Sequence, residues 1–138
     1  MSELSFQEKS AWLLFLSLLL VFGLYFRSVL PAGSANVRPD QVAMFVGMVV
    51  VLVAFQIVGH AVLAILDRRT DADERDRLIA LKGERNGSYV LSSGVFFAIC
   101  AALAVEGNFL VTHLLLGFWV LAHLVELGTQ LYLYRRGR

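Results

Sequence analysis

Cysteine, proline and histidine are scarce in this chain of 138 residues, with one, two and three copies respectively. Cys100 stands alone inside an apolar run, which excludes an intrachain disulfide and any CxxC metal or redox site. His60, His113 and His123 show no HExxH or comparable metal spacing. Both prolines fall in one stretch, PAGSANVRPD at residues 31–40, which reads as a loop and leaves the remainder free for long helices. Charge is sparse as well. Only 17% of residues are charged, the formal net charge is +1, and no basic tract is present, so the chain has no footprint for nucleic acid.

What the chain has in excess is apolar surface. Hydrophobic residues make up 58% of it and the mean hydropathy is +0.70, well above the soluble norm. Four apolar runs, at residues 11–30, 41–66, 88–105 and 109–134, each reach or approach the roughly twenty residues that cross ~30 Å of hydrocarbon. The fold class expected is all-α: an integral membrane bundle of four transmembrane helices, one domain over residues 1–138, with the lipid bilayer as its surroundings. Glu3 and Glu8 beside Lys9, and the length of the first run, fit a retained span rather than a cleaved signal. Trp12 at one end of that run and Tyr25 with Phe26 at the other match interfacial anchors.

The one long polar stretch, at residues 67–87, divides the spans into two pairs. Its six acids (Asp67, Asp71, Asp73, Glu74, Asp76, Glu84) and six bases (Arg68, Arg69, Arg75, Arg77, Lys82, Arg85) cancel. Thr70 and Asp73 are spaced as a weak capping box, and Asp71–Arg75 and Asp73–Arg77 are spaced to pair along a helix. Gly83, Asn86 and Gly87 then weaken helix. The pattern predicts a short charged interfacial helix followed by a hinge, with a bent continuation into the third span as the alternative. Gly94, Ala98 and Ala102 recur every four residues, a small-residue seam suited to close helix packing within the chain or between copies. The connection Glu106-Gly107-Asn108 is short enough to make the third and fourth spans an antiparallel hairpin. Ten lysines and arginines fall beside the termini and in the polar stretch, against Arg27 and Arg38 on the other side. That asymmetry places both termini and the stretch at residues 67–87 in the cytoplasm.

Polar residues inside the spans are costly and are candidates for function. Gln56 and His60 share one face of the second span, and His123, Glu126 and Gln130 share one face of the fourth. At about 1.5 Å per residue all five lie in the cytoplasmic half of the membrane. If the two faces met, they would form a buried polar cluster. Two readings of it compete: helix–helix hydrogen bonding, or a proton or cation relay with Glu126 as carrier and the histidines as partners. His60, His123 and Glu126 also offer ligand types suited to zinc. No cofactor is required by the sequence.

The stretch DERDRLI, at residues 73–79, resembles the cytoplasmic DERxxxI loop of an uncharacterised family of small bacterial inner-membrane proteins with about four spans. Asp73, Glu74, Arg75 and Ile79 are the matching positions, with Asp76 and Arg77 between them. The resemblance implies the architecture and a bacterial inner-membrane location, and no activity. Three function classes follow for the whole chain. The first is a non-enzymatic interaction or regulatory membrane module that docks a cytoplasmic or membrane protein through this loop. The second is a proton- or cation-linked transporter or channel subunit that needs self-association to enclose a path. The third is a small metal-dependent membrane enzyme.

Overall fold

The computed structural model describes residues 4–67 and 71–136, and the described residues are helical apart from the connections. Four long helices follow one another: α1 (Phe6–Val29), α2 (Pro39–Leu66), α3 (Glu74–Ala104) and α4 (Phe109–Arg136), with a single 3-10 turn, Leu30–Ala32, after α1. Each is long and apolar enough to span a membrane.

Local chemistry explains where they start. Ser5 caps α1 by accepting from the Glu8 N–H at 3.2 Å, and Pro39 opens α2 at a position where its missing N–H costs nothing. Asp73 caps α3: its carboxylate accepts from the Asp76 N–H at 2.7 Å, and Asp76 returns the bond to the Asp73 N–H at 3.1 Å. The expected cap at Thr70 lies outside the described residues. The expected ion pairs do not form, because Asp71 precedes the helix and the Asp73 carboxylate is committed to the cap.

The helices pack in the order α2, α1, α4, α3. α1 lies against α2 and α4, and α4 also carries α3 in the most extensive contact of the fold, as a short connection at Gly107 requires. The core between α1 and α4 is built from Ala11, Leu18, Phe22, Val120, Leu127 and Leu131, and Leu52 of α2 closes it. Only Gln41 and Leu52 of α2 are buried. The rest of that helix turns Val, Ile, Leu and Phe outward, so it is apolar around most of its circumference.

Two expectations are corrected by α3. There is no separate interfacial helix and no hinge: α3 runs unbroken from Glu74 through Gly83, Asn86 and Gly87 to Ala104. The glycines are buried because α4 lies directly on them. The Gly83 Cα faces the Glu126 carbonyl and Gln130, and the Gly87 Cα faces the Ala122 carbonyl and Glu126 Cβ. The packing gained by this close approach offsets the intrinsic cost of glycine in a helix, about 0.5–1 kcal/mol each. The seam is therefore longer than expected and slightly rotated, running through Ile79, Gly83, Gly87, Gly94 and Ala98. Ala102 is exposed. Each four-residue step turns about 40° past a full turn, the seven-residue step from Gly87 to Gly94 turns back by about 20°, and Ala102 ends roughly 140° around the helix from Ile79, outside the interface.

The two ends of the molecule differ. At one end the connection after α1 and the turn between α3 and α4 are braced together. Phe109 N–H donates to the Ala35 carbonyl at 3.1 Å, Val37 N–H to Asn108 Oδ1 at 2.8 Å, and Asn108 N–H to Asn36 Oδ1 at 3.3 Å. Gly107, at φ +89°, makes that turn where a Cβ would strike the Ala35 carbonyl. At the other end Lys9 pairs with Asp67 at 2.7 Å, Tyr134 Oη donates to Asp76 Oδ1 at 2.8 Å, and Arg135 lies over the Trp12 ring, 5.5 Å from its centre. The start of α1, the end of α4 and residues 71–85 thus share one end.

Candidate functional site

The five polar residues expected to converge are divided between two places. On α2, Gln56 Nε2 donates to Ser17 Oγ of α1, and His60 Nδ1 donates to the Gln56 carbonyl of its own helix at 2.9 Å. Gln56 thus belongs to the α1–α2 contact, and His60 bonds within its own helix. On α4, the Glu126 carboxylate receives His123 Nδ1 at 3.3 Å on Oε2 and Gln130 Nε2 at 3.4 Å on Oε1. The His123 ring packs edge-on against Trp119, with centres 4.7 Å apart. No hydrogen bond joins the two groups, because α2 sits on α1 and α4 turns its polar strip toward the α3 side. A metal site at His60, His123 and Glu126 is not assembled: among the described residues no three His, Cys, Asp or Glu side chains gather to hold an ion.

One buried polar pair escaped the sequence reading. Tyr25 is not an interfacial anchor but is buried, and so is His113. The Tyr25 hydroxyl and His113 Nε2 are 3.1 Å apart, and His113 Nδ1 lies 2.8 Å from the Phe109 carbonyl. A carbonyl only accepts, so the ring hydrogen sits on Nδ1 and Nε2 accepts from the tyrosine hydroxyl. The rings stack at 10° with centres 5.9 Å apart, and Phe109 and Phe26 close the pocket around the imidazole. The signal that would have found it is depth: both residues lie near the same end of their spans.

No family model, curated protein or solved structure matches this chain. Its function must be read from its own surface.

The remaining candidate is the charged first part of α3. At about 1.5 Å per residue, the 31 residues of α3 measure roughly 46 Å, some three turns more than ~30 Å of hydrocarbon needs. Those turns carry Glu74, Arg75, Arg77, Lys82, Glu84 and Arg85, all exposed. None of their side chains makes an ion pair with another described residue. Between them Leu78 and Leu81 are about 60% exposed. Glu74, Leu78 and Leu81 stand at i, i+4 and i+7, one face of the helix, turned away from the buried Ile79 and Gly83. The motif positions thus divide in role: Asp73 caps, Ile79 packs on α4, and Glu74 and Arg75 are presented outward. Tyr134 holds Asp76, and the glycine seam holds the turns that follow.

Proposed function

We propose that this chain is a membrane-embedded docking module, which recognises a protein partner through the first three turns of α3. The observation that carries the reading is a continuous helix, seated on α4 by Gly83 and Gly87, whose leucine strip and surrounding charges are exposed and unpaired among the described residues. Surface charges not neutralised within the molecule and framing an apolar strip are the ingredients of helix-in-groove recognition. There anchors at i, i+4 and i+7 give affinity, and flanking charges give register. The excess of Lys and Arg at this end supports a cytoplasmic placement, and the resemblance at residues 73–79 supports a bacterial inner membrane. The relay reading keeps only the α4 strip of His123, Glu126 and Gln130. A second copy would have to enclose that strip.

Reversing charge at Arg75 and Arg77 together (Arg75→Glu, Arg77→Glu) is expected to reduce recovery of the partner from solubilised membranes by about tenfold or more. Like-charge contact at an interface costs kilocalories rather than tenths. Glu126→Gln is expected to leave recovery unchanged. Quantitative proteomics of the captured complex reads both. Equal loss in the two variants would contradict the proposal.

A further inference from the structure

We infer that a groove on the α3–α4 seam, at the level of Lys82 and Arg85, binds the phosphate of an anionic phospholipid headgroup. The groove has a volume of about 450 Å³ and is lined by Lys82, Arg85 and Asn86 of α3 and by Thr129 and Tyr132 of α4. It lies on the side of the seam opposite the His123–Glu126–Gln130 strip. Lys82 and Arg85 are three residues apart, so their side chains leave α3 as neighbours. Neither has an acidic partner among the described residues. Asn86 Nδ2 donates to Thr129 Oγ1 at 3.2 Å and Thr129 Oγ1 to the Val125 carbonyl at 2.7 Å, which fixes the two helices at the groove floor. Two cationic residues, an asparagine and a tyrosine therefore line one open space, and no acidic residue lines it.

The position selects the source of the anion. Lys82, Tyr89 and Phe96 follow one another at seven-residue spacing, hence on one face and about 10 Å apart. Tyr89 and Phe96 are 67% and 64% exposed. A track of exposed aromatic side chains leads from the cations into the apolar part of α3, where an acyl chain would lie. Basic pockets between helices at the cytoplasmic boundary are suited to lipid phosphates. A free phosphate would use the cations and leave the track bare. The inference rests on the membrane reading and not on the docking reading.

The test is native mass spectrometry of the full chain in detergent with equimolar phosphatidylglycerol and phosphatidylcholine. The unaltered chain is expected to retain phosphatidylglycerol about tenfold over phosphatidylcholine, two cations at the surface each adding severalfold. Lys82→Gln with Arg85→Gln is expected to bring the ratio to about one. Lys82→Arg with Arg85→Lys keeps both charges and is expected to restore the preference. Arg75→Gln with Arg77→Gln removes the same charge from the docking face, and that variant should keep the preference, which separates this inference from the docking proposal. No preference in the unaltered chain, or equal loss in the Arg75/Arg77 variant, would overturn the site. Displacement of the lipid by excess inorganic phosphate, with phosphate retained instead, would reassign it to a free anion and overturn the lipid.

Discussion

Gly87→Ala is expected to destabilise the protein, while Gly23→Ala leaves it unchanged or stabilises it. Intrinsic helix propensity predicts the same sign for both, since alanine is favoured over glycine by about 0.8–1 kcal/mol in a helix interior. Space decides otherwise. A Cβ at Gly23 meets nothing within 4 Å, whereas at Gly87 it would lie 2.8 Å from the Ala122 carbonyl oxygen and 3.2 Å from Glu126 Cβ. At Gly83 it would lie 2.7 Å from the Glu126 carbonyl oxygen. Backbone oxygens cannot rotate away, so α3 must lift from α4. Overpacking of this kind costs about 1–3 kcal/mol, more than propensity returns, and Gly87→Leu should exceed Gly87→Ala. Thermal unfolding followed by fluorescence-detected size exclusion measures all three. A stabilised Gly87→Ala would mean that α3 and α4 are not in contact there.

Tyr25→Phe should cost about 1–3 kcal/mol although it removes a single oxygen atom, because His113 Nε2 is left buried without a donor. The aromatic ring and its stacking survive the change, so the loss isolates the hydrogen bond. Interhelical hydrogen bonds in membranes average only about 0.6 kcal/mol, because the separated helices find other partners. The Tyr25–His113 pair should lie above that average, since both residues are buried and Phe26 and Phe109 line the imidazole. A double-mutant cycle with His113→Leu, read by equilibrium unfolding in detergent, should show that the double variant loses less than the two singles combined. Strict additivity would mean that the two side chains do not interact.

The four long helices were legible because their signal is local: twenty or so apolar residues between polar breaks. α2 and α4 begin and end within two residues of expectation. The hairpin of α3 and α4 followed from the brevity of the turn at Gly107. What failed depended on neighbours. Gly83 and Gly87 read as helix breakers because the cost of glycine is written in the residue, while its benefit is written in Ala122 and Glu126 of another helix. His60 and Glu126 could be placed at comparable depths, but depth does not say which helices touch, and the order α2, α1, α4, α3 puts α1 between them. Tyr25 and His113 were missed for the converse reason, since their shared depth was present in the sequence and not compared. Ser5 and Glu8 carry the S-x-x-E spacing of a helix start, and Ser5 does cap α1. The outward charges of α3 were legible as a charged stretch. Their freedom from one another was not, because the expected pairs needed Asp71 inside the helix and Asp73 free of the cap.

The most direct test of the docking proposal is a photo-activated benzophenone side chain at position 78, in place of Leu78, irradiated in intact membranes. Leu78 stands on the exposed strip between Arg75 and Lys82 and is 58% exposed. The account predicts one dominant protein adduct larger than the chain itself, lost when Arg75 and Arg77 are reversed to glutamate and retained in Glu126→Gln. Adducts with lipid alone, or a protein adduct indifferent to that reversal, would contradict it.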